Sequence, residues 1–405
     1  MLNINTRNLV KATVPVLKEH GVALTRHFYA RMFSHNPELK PVFNQGNQQS
    51  GSQQQALAMA VLAYAEHIDD PSVLMPVLTL VANKHVSVGI RAEHYPVVGL
   101  HLLASIKEVL GGAANDELLA AWAAAYGQLA DILIAQETAI YTKAAMTPGG
   151  WTGWRGFIVS KKVVESEEIT SFYLQPADGG SVPDYKPGQY ISVKVFVPEL
   201  GMMQPRQYSL SCAPGQAYLR ISVKREAAMA TKPAGLVSNV LHRDCHEGAL
   251  IDVAPPMGDY VLHEDRDTPV VLISAGVGVT PKLAMLEHLL KQNTKRKIRF
   301  VHACRHGGVH AFKQQVRELN EQYEQIKSLT YYEAPRAEDL QSIDYDQQGR
   351  LDLQTVASDF ILPEADYYIC GPRPFMQEQI ASLQSLGIAS ARIHKEAFVS
   401  GGFAH

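Results

Sequence analysis

Apolar residues recur every three or four positions through the first 146 residues, which is the spacing of one face of an α-helix. Ala and Leu are frequent there, and no stretch alternates convincingly in the manner of a β-strand. The pattern therefore predicts an all-helical domain over residues 1–146. The segment TPGGWTGWRG then interrupts the helices with Pro, Gly and Trp, which indicates a domain boundary with a linker at 147–150.

The remainder of the chain changes its hydrophobic period twice. Residues 151–265 alternate apolar and polar side chains, as in QYISVKV and YLRISVKRE, and this predicts a small antiparallel β-barrel. Residues 266–405 place short apolar runs before helical patterns: VVLIS before PKLAMLEHLLK, IRFVHAC before HAFKQQVRELNEQY, and YYIC before PFMQEQIASLQSLG. That alternation predicts an α/β domain with a doubly wound parallel sheet. The predicted fold class is multidomain: all-α, then antiparallel β-barrel, then doubly wound α/β.

Composition and charge exclude several classes of protein. A net charge of −3, with no basic cluster interleaved with aromatic residues, argues against a nucleic-acid partner. The four cysteines form no CxxC pair, so the sequence suggests neither a zinc site nor a disulfide framework. The N-terminus lacks a signal-peptide core, and no run approaches the roughly 20 apolar residues of a membrane span. We expect a cytoplasmic monomer with no integral membrane association.

The α/β domain contains a glycine turn between a strand and a helix, SAGVGVTP. Gly276 and Gly278 would let the backbone approach a ligand closely, and a helix N-terminus attracts phosphate. We expect Thr280 to be the N-cap and Pro281 the first helical residue. Tight strand-to-helix turns without a ligand also use glycine, and the third glycine of the dinucleotide fingerprint is missing. A second turn, CGPRP at 370–374, is expected beside the first at the carboxyl ends of the strands.

The barrel contains RQYSL at 206–210, followed by GLVSN at 235–239. An arginine can clamp a pyrophosphate, a tyrosine can stack on a flat ring, and a serine can hydrogen-bond a ring nitrogen. Taken alone, the pentapeptide is better explained as a strand that carries an exposed arginine and a partly buried tyrosine. GLVSN adds a second helix start suited to phosphate. Together with GVGVTP and CGP, these motifs resemble the ferredoxin-reductase family of FAD- and NAD(P)H-binding modules.

One histidine falls on the apolar face of a helix in VLTLVANKHVSVG, where His85 continues the row of Leu74, Leu78 and Val81. A histidine taken alone in such a place is more often a core side chain bonded to a backbone carbonyl. The 146-residue helical domain, however, resembles a globin in length and helical content, and in a globin such a histidine is the axial ligand of the haem. A later apolar stripe, Trp122, Tyr126, Leu129 and Leu133, ends on Glu137. A buried carboxylate needs partners, and the candidates are Tyr95 and His85.

Over essentially the whole chain these residues and their spacing resemble the flavohaemoglobins, in which a globin is joined to an FAD- and NAD(P)H-binding reductase. The resemblance implies that His85 holds the haem iron and that Tyr95 and Glu137 form a hydrogen-bonded network with it. The roles that it implies on and around the haem are the following: Tyr29 and Gln53 bond dioxygen on the distal side, Leu57 presses on the haem, Phe43 packs against the macrocycle, and Lys84 and Glu396 lie near the haem–flavin junction. The residues that it implies for the other two cofactors are Tyr190, Arg206, Gln207, Tyr208, Ser209, Val237 and Ser238 for FAD, and Gly276, Val277, Gly278, Val279, Thr280, Pro281 and Cys370 for the nicotinamide dinucleotide.

The C-terminus departs from the family pattern. Flavohaemoglobins usually end with an aromatic residue followed by Gly-Pro, whereas KEAFVSGGFAH has Phe398 followed by Val399 and Ser400. Phe398 can still cover the flavin ring.

The activity implied by the resemblance is that of a nitric oxide dioxygenase. NAD(P)H reduces FAD, FAD passes single electrons to haem, and haem-bound dioxygen converts nitric oxide to nitrate. The small-molecule partners are therefore nitric oxide and dioxygen. Two alternatives stay open: an oxygen sensor or store, and a reductase that acts mainly on ferric iron, quinones or pteridines.

Overall fold

A computed structural model describes residues 2–230 and 233–398. These residues fall into two compact units, the first comprising 2–155 with 192–206 and the second 156–191 with 207–398. Val399 and Ser400, where the sequence departs from the family ending, lie outside the described residues.

The first unit is built mainly from helices, as the hydrophobic period predicts. Their bounds are α1 (Ile4–Ala12), α2 (Val14–His35), α3 (Gln45–Gln49), α4 (Ser52–Glu66), α5 (Met75–Val88), α6 (His94–Leu110) and α7 (Asp116–Met146). Short 3₁₀ segments connect some of them, at Pro37–Val42, Pro71–Leu74 and Gly111–Ala113.

Helix ends follow local chemistry. Asn3 and Asn115 accept hydrogen bonds from the first turns of α1 and α7 through their side chains, which satisfies amides that lack an intrahelical partner. Gly89 ends α5 in the left-handed conformation, with φ of 83°, which glycine adopts without steric cost. The helix that carries His85 therefore ends one turn after it.

Two apolar clusters hold these helices together. The first includes Phe28, Met32 and Tyr64. The second is smaller and includes Leu78 and Tyr95. Leu74, Tyr126 and Leu129 pack against both clusters and stay partly exposed. The apolar stripe of α7 thus borders both cores.

Two helical segments, His94–Ala113 and Asp116–Met146, are long and apolar enough to cross a membrane by length and composition. This overturns the expectation that no run approaches that length. The sequence pattern missed them because their apolar residues are interrupted by polar ones such as His101 and Glu137, both of which are buried. Core helices of a globular protein pass the same test, so the finding is weak evidence for a membrane span.

The β-barrel prediction is confirmed. The strands are β1 (Arg155–Val164), β2 (Ile169–Pro176), β3 (Tyr190–Val197), β4 (Met202–Ser209), β5 (Leu219–Lys224) and β6 (Leu250–Val253), in the order β4-β3-β6-β1-β2-β5. An antiparallel bridge between Leu210 and Ile221 joins the end of β4 to β5, which closes the sheet. Helix α8 (Leu236–Asp244) lies between β5 and β6 in the chain.

The C-terminal part forms the predicted parallel sheet. Its strands are β7 (Val270–Ala275), β8 (Ile298–Cys304), β9 (Ile326–Tyr332), β10 (Gln347–Gln348), β11 (Asp366–Cys370) and β12 (Ile393–Glu396), in the order β10-β9-β8-β7-β11-β12. The helices are α9 (Val279–Lys291), α10 (Lys313–Gln322), α11 (Ala357–Phe360) and α12 (Arg373–Ser385). Leu272 and Ile273 of β7 belong to different core clusters, so both faces of the sheet are covered. The strand order reverses beside β7, which is where ligands bind in such sheets.

The turn after β7 leaves no space for a side chain at Gly278. A Cβ placed there would lie 2.3 Å from the carbonyl oxygen of Cys370. Gly276 has φ of +54° but faces open space.

We predict that Gly278→Ala lowers the free energy of unfolding by about 2–4 kcal/mol, because backbone cannot move aside as a flexible side chain can. Urea unfolding of the variant measures the loss. Gly276→Asn is the matched control and should cost less than about 1 kcal/mol, because asparagine tolerates the left-handed region. Equal stability of the two variants would contradict the proposed close approach.

Candidate functional site

The imidazole of His85 is bound to side chains from two other helices. Its Nδ1 lies 2.8 Å from Oε1 of Glu137 on α7 and 3.2 Å from the hydroxyl of Tyr95 on α6. Tyr95 donates to the same Glu137 oxygen over 2.5 Å. The structure therefore brings together the three residues that the sequence pattern paired. The partners of Nδ1 are these side chains and not a backbone carbonyl, which was the alternative.

This network leaves the opposite nitrogen of the imidazole able to bind a metal. A carboxylate at Nδ1 favours the tautomer with the proton on that nitrogen, which leaves the lone pair of Nε2 available. Glu137 is only 2 % exposed, whereas the His85 side chain is 35 % exposed. Burial, followed by the hydrogen bond to Glu137, raises the pKa of Tyr95 far above its usual value, so its hydroxyl remains a donor. The arrangement fits a single axial imidazole ligand.

A second polar pair is formed by Tyr29 on α2 and Gln53 on α4. Burial raises the pKa of the Tyr29 phenol well above its usual value, and the side-chain hydrogen bond with Gln53 lowers it only in part. The Oε1 atom of Gln53 is buried without a partner in the described part of the chain. An amide that donates to the phenol oxygen leaves the phenol hydrogen free to donate elsewhere. An unsatisfied buried oxygen is costly, so this pair fits a site that receives a polar ligand.

Apolar side chains surround this pair. The Tyr29 ring lies 5.8 Å from the rings of Phe33 and Phe43, measured between centroids. Leu57 packs against the same cluster and is partly buried. Of the residues predicted on the distal side and at the macrocycle, the structure places Tyr29, Gln53, Phe43 and Leu57 together. This set suits a flat apolar cofactor such as haem.

The predicted flavin residues lie on two barrel strands and on α8. Tyr190 begins β3, while Arg206, Gln207, Tyr208 and Ser209 end β4. Arg206 belongs to the first unit, where its Nη1 donates to the Pro205 carbonyl over 2.7 Å. Arg206 and Tyr208 are partly buried and Gln207 is exposed. These positions leave both interpretations of RQYSL standing.

The start of α8 is a tight turn that involves two predicted residues. Val237 and Ser238 lie in its first turn, after Gly235 as N-cap. The Ser238 hydroxyl donates to the Gly235 carbonyl over 3.1 Å and accepts from the Glu226 amide over 3.2 Å. A Cβ on Gly235 would lie 2.8 Å from the Cβ of Glu226. Ser238 therefore shapes the turn, and the backbone amides of α8 remain the groups suited to phosphate.

The turn after β7 differs from the prediction in one respect. Residues 276–278 form a 3₁₀ turn and α9 begins at Val279, so Thr280 is the second helical residue and Pro281 the third. Predicting Thr280 as the N-cap was wrong, because the glycines let the chain coil directly after the strand. The Thr280 hydroxyl instead donates to the Val277 carbonyl over 3.0 Å.

The two predicted turns of the α/β domain do lie side by side. Strands β7 and β11 are parallel neighbours, and Cys370 pairs with Ser274 in their register. Glu396, the last residue of β12, pairs with Cys370. Phe398 follows two residues later and is 44 % exposed. Lys84 lies in the first unit on α5, directly before His85.

One residue of this region was missed by the sequence analysis. Lys282 on α9 is fully buried, and its ammonium group donates to the hydroxyl of Tyr260. The available signal was a lysine inside the otherwise apolar run PKLAML.

Family comparisons cover both ends of the chain. Residues 26–133 match the Globin family, and residues 272–380 match the oxidoreductase NAD-binding domain. A protein named Flavohemoprotein from Bordetella parapertussis is 61 % identical over 405 residues, which covers all of both chains. Another of that name from Chromobacterium violaceum is 62 % identical over 400 residues, or 99 % of each chain.

Solved structures agree with these relatives. The flavohemoglobin of Malassezia yamatoensis, determined with bound FAD and haem, superposes with a TM-score of 0.85 at 28 % identity, over 98 % of this chain and 100 % of that one. The FAD/NAD-binding domain of nitric oxide dioxygenase from Vibrio cholerae gives a TM-score of 0.54 at 41 % identity, over 60 % and 98 % of the chains. The near-complete coverage at 61–62 % identity shows that this chain belongs to the flavohaemoprotein family, as its motifs predict.

Proposed function

We propose that the protein is a nitric oxide dioxygenase that binds haem, FAD and NAD(P)H and converts nitric oxide and dioxygen to nitrate. The observation that carries the proposal is the His85–Glu137–Tyr95 network together with the Tyr29–Gln53 pair. The relatives support it, since one solved flavohemoglobin holds FAD and haem and a solved domain comes from a nitric oxide dioxygenase. We further propose that it works in the cytoplasm as a monomer.

The cofactors supply the electron chemistry: when bound, FAD takes two electrons from NAD(P)H and delivers them singly to haem, where dioxygen is activated. His85 would hold the iron through Nε2. Glu137 accepts a hydrogen bond from Nδ1–H, which makes the imidazole a stronger electron donor and favours oxygen activation over simple carriage. Tyr95 fixes the carboxylate that does this.

On the distal side, the Tyr29 hydroxyl would donate a hydrogen bond to dioxygen that carries negative charge. Such donors act strongly where water is excluded. Phe43 and Leu57 supply the apolar surroundings that exclude it. Gln53 orients the phenol and can donate a hydrogen bond of its own.

For the reductase, Tyr190 and the run from Arg206 to Ser209 would bind FAD, with Val237 and Ser238 at a helix start suited to its phosphates. The turn from Gly276 to Pro281, with Cys370 opposite it, would bind the nicotinamide dinucleotide. Lys84 and Glu396 are proposed to lie near the haem–flavin junction, and Phe398 to cover the flavin ring.

The proposed activity is tested by comparing the rate of nitric oxide consumption with the rates of reduction of ferric iron, quinones and pteridines. A reductase of soluble acceptors would reduce those acceptors faster than it consumes nitric oxide.

We predict that His85→Ala loses most of the haem but keeps FAD and the NAD(P)H-driven reduction of a soluble dye. The globin and reductase motifs lie on separate segments with their own cores. Visible absorption of the purified variant reports both cofactors. A full haem complement would rule out His85 as the axial ligand.

Tyr29→Phe should leave both cofactors bound and accelerate the loss of dioxygen. The change removes one hydroxyl and keeps the ring, so the packing against Phe33 and Phe43 survives. A hydrogen bond to a charged group contributes about 1.5–3 kcal/mol, so dissociation should be about 10- to 150-fold faster. Stopped-flow measurement on the reduced protein gives the rate. Phe33→Leu is a packing control, and an unchanged rate in Tyr29→Phe would exclude the distal role.

We predict that NADPH serves alongside NADH. Arg305 and His306 directly follow β8, where an acidic residue would select NADH. Arg305 is paired with Glu168, and the Arg336 guanidinium lies 3.3 Å from Nε2 of His306 and binds Glu167. Surface ion pairs are weak, so a 2′-phosphate can replace these carboxylates.

Arg305→Ala should therefore raise the KM for NADPH by about three- to tenfold and leave the KM for NADH unchanged. Steady-state kinetics with both nucleotides measure this. Arg317→Ala, which removes a surface arginine paired within α10, is the control. Strict exclusion of NADPH by the wild type would contradict the prediction.

A further inference from the structure

Lys282 is a lysine whose side chain has no exposure to solvent. It is the fourth residue of α9, one turn after the 276–278 glycine turn. Its ammonium group donates to the hydroxyl of Tyr260 and lies 4.5 Å from the centroid of that ring. Tyr260 in turn donates to the Ile369 carbonyl over 3.3 Å. In the described part of the chain, no carboxylate forms an ion pair with Lys282.

The ionisable groups that act on the ammonium are Tyr260, Cys370 and Glu396, and the Tyr368 ring packs against Tyr260 with 6.1 Å between centroids; together with Lys282 we call these residues the Lys282 cluster. Burial lowers the pKa of Lys282 to about 8, although negative charge on Cys370 and Glu396 would raise it. Burial raises the pKa of Tyr260 and of Cys370 well above their ordinary values, and that of Tyr368 to about 12. Among the lysine, the tyrosines and the cysteine, only Lys282 changes charge between pH 7 and 10.

The Lys282 cluster connects the predicted nucleotide turns to the predicted flavin strand. Cys370 begins the turn that meets Gly278, and Glu396 is its register partner on β12. On the other side, a Cβ on Gly188 would lie 2.1 Å from the Tyr260 carbonyl oxygen and 2.8 Å from the Cε of Met285 on α9. Gly188 is two residues before Tyr190, the first residue of β3. Through Tyr260, the ammonium is therefore connected both to the turn that would hold nicotinamide and to the segment that leads into the predicted flavin strand.

We propose that Lys282 is an electrostatic residue of the reductase, whose positive charge favours reduction of the flavin by NAD(P)H. This rests on the proposed function, in which FAD binds at the strand that begins with Tyr190. In the step itself a nicotinamide C–H bond breaks, and the hydrogen leaves with both electrons and bonds to the flavin. The nicotinamide becomes a cation and the flavin gains one negative charge. A fixed ammonium in a site without water stabilises that negative charge.

The stability cost of the lysine supports a functional role. A buried ammonium disfavours the fold below the pH at which it is neutral, and an unbranched apolar side chain would fill the same space without that penalty. Methionine matches the length and flexibility of lysine. The lysine therefore carries a stability cost that a function depending on its charge would offset.

The first test measures whether the ammonium is charged inside the fold, and it does not depend on any activity. Because the pKa is lower in the folded than in the unfolded state, the penalty is full below pH 8 and disappears as pH rises above 10.5. Urea unfolding of the purified holoprotein should show Lys282→Met as more stable than the wild type at pH 7, with the difference shrinking toward pH 10.5. Lys291→Met removes an exposed lysine from the same helix and should show no such pH-dependent gain.

The second test measures the flavin. Lys282→Met should lower the midpoint potential of the bound FAD and slow its reduction by NADH roughly tenfold at pH 7. At pH 9.5 the two rates should converge, because the wild-type lysine is then neutral. Tyr260→Phe removes the oxygen that accepts the ammonium hydrogen bond, so it should move the pH midpoint of flavin reduction below that of the wild type. Lys291→Met should match the wild type throughout.

The outcomes separate the two proposals. If the purified wild-type protein does not bind FAD, the proposed function is wrong, whatever the unfolding experiment shows. FAD with an unchanged potential and an unchanged pH profile in Lys282→Met would overturn the role of Lys282 alone. If Lys282→Met does not retain FAD, Tyr260→Phe decides: a pH midpoint equal to that of the wild type overturns the proposal, and a lower one supports it.

Discussion

The helical half depends on one buried carboxylate. Glu137 lies inside the apolar face of α7, and a buried carboxyl group there is tolerable only if polar partners reach it. Tyr95 from α6 and His85 from α5 are those partners, so this one side chain links three helices that the two apolar clusters already pack together. The same bonds orient the imidazole. The contacts that satisfy the buried carboxyl group are therefore the same contacts that orient the His85 ring.

Most of the fold and the partners of Glu137 could be predicted from the sequence, because each depends on the spacing of apolar residues along the chain. The change from helical to strand period separated the architectures, and the position of Glu137 at the end of an apolar stripe demanded partners of the type that the structure supplies. Family resemblance added what period could not, namely which polar residues face each other across the fold. Tyr29 and Gln53, for example, belong to different helices and their pairing has no local signature.

The errors have local physical causes. Thr280 and Pro281 are residue types typical of a helix start, which places the predicted start of α9 too late. The helical backbone begins earlier, because residues 276–278, two of them glycines, form a 3₁₀ turn directly before α9. The apolar length of the two long helices is underestimated from the sequence, because buried polar residues interrupt the apolar run in a linear pattern. The burial of Lys282 has one local signal, the apolar run PKLAML around it, and a solvated lysine with its stem on an apolar surface leaves the same signal. In each case the outcome depends either on a contact with a residue distant in the chain or on a backbone conformation, and neither is visible in the local sequence.

The position of β12 has a consequence for biosynthesis. This strand comprises residues 393–396 of a chain of 405, and it completes the parallel sheet by pairing with β11. It therefore leaves the ribosome after all the other strands of that sheet and long after the helices that end at Met146, which emerge early and can fold as a unit. Glu396, the residue paired with Cys370, takes its place only after the other five strands of the sheet have been synthesised. Nascent chains consequently pass through a stage in which the helical half is complete and the parallel sheet is not.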